Sequence, residues 1–465
     1  MNQGSDTRSV QRAAFVVATT ASFLMPFMGA SANVAVPSIG EDLHMDAIAL
    51  TWVATAFLLA AAVALLPAGR VADMVGRKRV FSLGTFVYTA ASLLCGLSPS
   101  GDLLIAARVL QGIGASMIFG TGLAILTSVF PPGERGRAIG FNVAAVYMGL
   151  SLGPFVGGIL VKHFGWRSVF LFNVPLGLAV LATIRMGLRG EWKAEARGGF
   201  DFWGAAIYAV SLVSLMYGVS LFPSQGGMIV ACAALLGIVG FYLVERKHKA
   251  PLVDVSLFSH NHQFLFSNLA ALVHYSATFG VTFLLSLYLQ AARGFDPQEA
   301  GSILIAQPIM MALVSPFAGK ISDRVQPRIV ASTGMGLTCL SLAGMTFLGL
   351  TTPLVVVVGI LALLGLGFAL FSSPNTNAVM NSVGPASYGI ASATVGTMRV
   401  LGQMVSMGIA TLVLGQKVGR VHLEPGMYGS FVEGIRTIML IFSVLCLIGI
   451  AFSAARGKRV VHPDQ

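Results

Sequence analysis

Apolar runs long enough to cross a bilayer, about 20 residues each, recur along almost the whole chain, and the charges collect in the short breaks between them. They predict membrane-spanning helices near 13–38, 47–68, 79–98, 102–130, 137–161, 166–187, 201–222, 226–244, 264–291, 298–318, 328–349, 353–376, 387–415 and 434–455. That is fourteen spans; the pair at 201–222 and 226–244 is the weakest and is joined by the uncharged loop Leu221 to Gly227. Composition agrees: 55% of the residues are hydrophobic, 10% are charged and the mean hydropathy is +0.82. A soluble protein is about 25% charged, so this chain lacks the polar surface to coat a water-soluble globule. It reads as an all-α integral membrane protein.

Charge placement orients the spans. The net charge of +11 is not gathered on a basic, aromatic face of the kind that binds nucleic acid. With the N-terminus in the cytoplasm, the inward segments hold 21 Lys and Arg, the outward loops five, and three fall within or at the ends of spans. By the positive-inside rule both termini are cytoplasmic. The first outward loop, with Glu41, Asp42 and Asp46, agrees. The run after MNQGSDTRSVQR is too long for a signal-peptide core, so the first span is expected to be retained as the insertion signal. Cys95, Cys232, Cys339 and Cys446 lie in apolar runs without CxxC spacing and read as small core hydrophobes.

A long-period repeat is visible. Pro67-Ala68-Gly69-Arg70-Val71-Ala72-Asp73 closes the second span, and Pro316-Phe317-Ala318-Gly319-Lys320-Ile321-Ser322-Asp323-Arg324 closes the tenth. Gly69 and Gly319 are 250 residues apart. Six spans account for most of that distance and the weak pair for the rest. The expected organisation is an N-terminal six-helix bundle over 1–190, two inserted helices over 191–250 and a C-terminal six-helix bundle over 251–465. Paired six-span halves with a midplane substrate path are a transporter plan.

On its motifs the sequence resembles the major facilitator superfamily, in particular its fourteen-span drug:proton antiporter branch. Gly69, Asp73, Gly76, Arg77 and Lys78 match the loop signature G-x-x-x-D-x-x-G-R-[KR]. Arg108, Gln111, Gly112, Gly114 and Ala115 match R-x-x-Q-G-x-G-A, and Gly149, Gly153, Pro154, Gly157 and Gly158 match G-x-x-x-G-P-x-x-G-G. Asn33 to Ile39 match the second half of the branch's first-span motif, whose usual acid is replaced here by Met28. The resemblance implies a major facilitator fold and secondary active transport by alternating access, in a prokaryotic inner membrane. It further implies a proton-coupled exporter of drugs or amphipathic small molecules, functional as a monomer.

Physical reading assigns roles beside this. Asp73, with Arg77, Lys78 and the echo at Asp323, reads either as a cytoplasmic gate that opens and closes or as an ordinary positive-inside loop. Gly149, Gly153 and Gly157 share one helical face with Pro154 among them, which suits a bendable seam between halves or plain close packing. Arg108 and Arg399 lie within spans, where a charge must face protein or water. Each is a substrate or proton-relay contact, or a structural arginine held by carbonyls. Trp166 and Arg167 read as interfacial anchors with no transport role.

All eighteen acids fall in loops, termini or within a turn of a span end. A carrier of lipophilic cations is expected to bury a carboxylate, so either Asp73, Asp323 or a histidine couples protons, or the substrate is neutral or anionic. His274, next to Tyr275, is the histidine well inside a span and the natural titratable candidate, or else a packing residue. The polar residues Asn33, Gln111, Asn142, Tyr147, His274, Gln290, Gln307, Asn377, Arg399 and Gln403 are expected to line a cavity, because polar groups need partners inside a bilayer. Phe27, Phe155, Phe279 and Phe283 would form its apolar wall. No phosphate loop, metal-ligand spacing or nucleophile elbow occurs, so neither an enzyme nor a cofactor is expected. The leading reading is a drug exporter; the alternative is a transporter of an anionic or neutral metabolite using the core arginines.

Overall fold

A computed structural model of the chain describes residues 3–193, 199–222, 224–246, 252, 258–259, 261–383, 388–419 and 425–456. Among them every regular element is helical. The first half contains α1 (Gln3–Asp42), α2 (Ala47–Val75), α3 (Arg77–Gly96), α4 (Gly101–Val129), α5 (Pro132–Phe164), α6 (Arg167–Leu171) and α7 (Asn173–Gly187). Then come α8 (Phe202–Ser220) and α9 (Gln225–Glu245). The remainder contains α10 (His262–Leu287, running into a π-turn at Tyr288–Ala292), α11 (Pro297–Leu304), α12 (Ala306–Arg324), α13 (Pro327–Met345), α14 (Leu354–Met380), α15 (Tyr388–Lys417) and α16 (Tyr428–Ala454). Polar side chains start several helices. Asp46, Ser100, Asp201 and Ser224 each accept a hydrogen bond from a backbone N–H three residues on, satisfying one of the donors that a helix start leaves open.

Thirteen helices among the described residues are long and apolar enough to span a membrane. The fourteenth expected span, 328–349, is present as the 19-residue α13 but is not one of those thirteen. Its glycines, serines and threonines dilute its hydropathy. Large apolar side chains stand exposed on many helices, among them Met186, Trp203, Leu340 and Val355. In a chain of this composition such a surface is covered by lipid. Cys232 belongs to it: it is exposed, and therefore not the core hydrophobe expected from its apolar run.

The chain groups into two compact units. The first comprises 1–252, 286–302 and 420–423, and so takes in α8, α9 and two segments from beyond them; the second comprises 253–285, 303–419 and 424–465. Each unit repeats the same helix crossings. In the first, Gly112 of α4 lies on the Phe57 carbonyl of α2, Gly114 of α4 meets Gly84 of α3, and Gly149 of α5 meets the Phe23 carbonyl of α1. In the second, Gly365 lies on the Gln307 carbonyl, Gly367 meets Gly334, and Gly402 meets the Leu272 carbonyl. Corresponding residues are separated by 249 to 253 positions. A Cβ at any of these glycines would come within 2.2–2.9 Å of the opposing helix, so the absence of a side chain sets how closely the helices approach.

Candidate functional site

The best-defined polar cluster lies inside the first unit. Arg108 on α4 is 2% exposed. Its Nε donates to the Val53 carbonyl of α2 at 2.9 Å, and its Nη1 donates to Gln111 Oε1 one turn on. Gln111 Nε2 in turn donates to Ser92 Oγ of α3 at 2.7 Å. The guanidinium lies 4.4 Å from the centre of the Phe57 ring and 5.9 Å from that of Phe170, so aromatic faces supply part of its stabilisation. Among the described residues it joins no ion pair. The buried Tyr88 hydroxyl on α3 has no hydrogen-bond partner.

This chemistry has no counterpart at the corresponding described positions of the second unit. At the positions corresponding to Ser92, Arg108 and Gln111 stand Leu342, Leu361 and Leu364, all fully buried. The backbone crossings are duplicated and the polar cluster is not. The position where the branch usually carries an acid is Met28, fully buried, with its Sδ accepting from Asn173 Nδ2 at 3.6 Å. An amide and a thioether occupy a place where a carboxylate would need a charged partner.

His274 on α10 is the centre of the second unit's aromatic core. It is fully buried, stacked on Phe371 at 4.0 Å between ring centres and tilted against Phe368 at 4.9 Å. Neither ring nitrogen has a hydrogen-bond partner.

The other expected cavity residues are dispersed. Asn33 and Asn142 are buried in the first unit, and Asn142 Oδ1 has no partner. Gln290, in the π-turn, donates to the Val34 carbonyl and to Ser286 Oγ, both at 2.9 Å, which places it beside Asn33. In the second unit Gln307 is buried with Thr282 Oγ1 at 3.5 Å, and Asn377 donates to Ser322 Oγ at 3.0 Å. Gln403 and Arg399 are half-buried on α15, so Arg399 is not enclosed as Arg108 is. The side chains of Tyr147 and Asp323 lie outside the described residues. Of the expected apolar wall, Phe27 and Phe283 are buried, Phe279 is half-buried and Phe155 is 38% exposed.

The glycine face of α5 packs on α1. Gly149, Gly153 and Gly157 face Phe23, Phe27, Ala30 and Ser31 of α1, within the first unit, and Ser31 Oγ donates to the Gly153 carbonyl at 2.8 Å. Gly158 is the exception, packing on the Pro297 carbonyl, while Gly301 packs on that of Pro154. Nearby, Lys162 pairs with Asp296 at 2.9 Å. Donation from the Glu299 N–H, together with Lys162, holds the Asp296 carboxyl below the usual range, so the pair stays ionised around neutral pH. On the same face Trp166 and Arg167 are more than interfacial anchors: both donate to Asp42 Oδ2, at 3.0 and 2.6 Å.

The loop signature has a partner that sequence reading missed. Asp73 pairs with Arg77 at 3.1 Å, and Arg77 also reaches Ser128 Oγ on α4 at 3.0 Å. Gly76 has φ +131°, open only to glycine at low cost. Beside it sits Glu191, whose Oε1 accepts from the Lys78 N–H at 2.8 Å and whose other oxygen is 3.8 Å from Arg79. The carboxylate thus meets the positive start of α3, and the Trp192 carbonyl accepts from the Arg77 N–H at 2.9 Å. A Cβ on Gly76 would lie 2.4 Å from the Glu191 carboxyl. Gly76→Ala is therefore expected to cost about 1–3 kcal/mol and to disorder the loop. Faster hydrogen exchange at 76–80 would show this; an unchanged exchange pattern would contradict it.

The family described as Major Facilitator Superfamily matches residues 18–407, and again 267–464. The riboflavin transporter RibZ of Clostridioides difficile is 30% identical over 429 residues, covering 92% of this chain and 93% of that protein. The cephamycin export protein CmcT of Amycolatopsis lactamdurans is 32% identical over 468 residues, covering 98% and 96%. The multidrug resistance protein Stp of Mycobacterium tuberculosis is 31% identical over 417 residues, covering 88% and 77%. Among solved structures, the POT family transporter PepTSo superposes with a TM-score of 0.72 at 16% identity over 96% of this chain and 97% of that one. A bacterial homologue of the lysosomal transporter Spinster, inward-facing and unoccupied, gives 0.69 at 17% over 96% and 97%. At these identities the structures speak to fold alone. The apolar helices and bacterial relatives mark an integral inner-membrane transporter of a prokaryote, not an enzyme. The chain belongs to the Major Facilitator Superfamily.

Proposed function

We propose that the protein is a proton-coupled exporter of amphipathic small organic molecules, drugs among them. The observation that carries this reading is its likeness, over 83–98% of the chain, to proteins named for export of, or resistance to, different compounds: Stp, CmcT and the tetracenomycin C and methylenomycin A proteins of Streptomyces. Of the coupling candidates, Asp73 is the one whose protonation would break a described ion pair, that with Arg77. Expression in a bacterial host stripped of its own exporters tests the proposal. Accumulation of at least one of a panel of fluorescent amphipaths should fall, and a protonophore should restore it. Lowered accumulation that survives the protonophore would exclude proton coupling; unchanged accumulation of every compound would exclude drug export.

A second reading rests on Arg108. A fully buried cation whose described partners are a carbonyl, an amide and two rings favours a neutral or anionic substrate over a cationic one. The likeness to a protein named for riboflavin transport agrees with this.

His274 sits in an aromatic enclosure without a polar relay. We therefore expect His274→Phe to transport with an unchanged pH profile, read as initial rates across a pH series. A flattened profile would return the proton-carrying role to this residue.

A further inference from the structure

A polar recess opens at the cytoplasmic end of the second unit, far in sequence from the Arg108 cluster. It is a small recess, partly open to solvent, lined by Gln263, Gln326, Pro327, Arg328, Ala378, Asn381 and Arg456. Two of these residues are cations and none is an acid. Arg456 follows the last turn of α16 and is 2% exposed, yet Nε, Nη1 and Nη2 all lack a hydrogen-bond partner. Five N–H donors in a fixed fork are thus buried against a recess with nothing to receive them. Burial lowers the guanidinium pKa to about 9, which leaves it charged at neutral pH. A buried, unpaired charge is costly to a fold unless something compensates it.

The remaining lining points to the compensating group. Arg328 is half-buried in the first turn of α13, where no acid offsets the positive end of a 19-residue helix. Gln326, at the N-cap, makes no side-chain capping bond, so its amide is available. Gln263 is already committed, donating to the Ala378 carbonyl at 3.0 Å, and serves as wall. Two guanidiniums and a helix start suit an anion with several acceptor oxygens better than a single carboxylate, which one fork would satisfy. The positive-inside reading places this recess at the level of the cytoplasmic headgroups, where basic pockets meet phosphates.

We propose that this recess is a phosphate-binding site, with Arg456 and Arg328 as its two cationic ligands. The phosphate is that of a lipid headgroup or a free one, and the two sources separate experimentally. The full chain is placed in nanodiscs of phosphatidylcholine, with and without inorganic phosphate, and in nanodiscs containing phosphatidylglycerol without phosphate. Thermal unfolding is followed in each. The site predicts a higher unfolding temperature in at least one of these conditions. Loss of the gain in Arg328→Gln, or at least about a tenfold rise in the phosphate concentration needed, is expected from removing one charge-assisted fork. A gain from inorganic phosphate identifies a free anion; a gain from phosphatidylglycerol alone identifies a headgroup. Arg456→Gln should behave alike where it folds, and Arg328→Gln, at a half-buried position, keeps the test open where it does not. No gain in any condition, or gains of equal size in Arg328→Gln, would overturn the proposal.

Discussion

Arg108→Met is expected to leave the protein folded, with an unfolding temperature at or above that of the parent, while transport falls at least about tenfold. Both halves of this expectation come from the same geometry. Arg108 is enclosed by α2, α3 and α4 with a carbonyl, an amide and two aromatic rings around it, and no described ion pair offsets its charge. An unpaired buried charge is costly to a fold, and an apolar side chain of similar volume removes that cost. A purely structural arginine would then be dispensable. A functional one would not, because the Arg108–Gln111–Ser92 chain carries a buried charge and links α4 to α3 inside the first unit. Arg108→Lys should also lose transport: one ammonium cannot reach the Val53 carbonyl and Gln111 while stacking on Phe57. Rates of substrate export and thermal unfolding, measured on the same preparations, decide the matter. A fall in unfolding temperature that accounts for the lost transport would make Arg108 structural.

Gly112→Ala and Gly365→Ala are each expected to prevent accumulation of folded protein in the membrane. The added Cβ would sit 2.3 Å from the Phe57 carbonyl oxygen in the first case and 2.2 Å from that of Gln307 in the second. Both obstacles are backbone atoms in neighbouring helices, so no side-chain rotation relieves them. The helices must separate, which loses contacts along the whole crossing and costs about 1–3 kcal/mol or more. Gly29→Ala and Gly359→Ala are the matched controls, since nothing lies within 4 Å of a Cβ at either position. Yield and unfolding temperature of the four variants after mild extraction test the account. Equal yields would mean that these crossings do not set the packing.

Much of the fold was legible because spans are written in hydrophobicity, which needs no knowledge of partners. The repeat was legible at Gly69 and Gly319, and its extension to the Gly112 and Gly365 crossings follows the same spacing. What a helical face meets was not legible. The periodicity of Gly149, Gly153 and Gly157 shows that they share a face, yet their neighbour is α1. Glu191 was missed because its partners, Lys78 and Arg79, lie more than a hundred residues away, and no local pattern marks a linker acid as a helix cap. His274 was singled out for its titratable ring; the phenylalanines that enclose it come from α14. Arg399 and Arg108 look alike in sequence, and only packing separates a half-buried arginine from an enclosed one.

Proton-coupled export is tested by following proton movement in proteoliposomes. The full chain is reconstituted with an imposed pH gradient, and internal pH is read while cationic, neutral and anionic amphipaths are added in turn. Proton flux is expected on addition of amphipathic compounds, neutral or anionic members among them, and is expected to be lost in Arg108→Met. Substrate movement with no accompanying proton flux, or flux triggered by cations alone and undiminished in Arg108→Met, would contradict this.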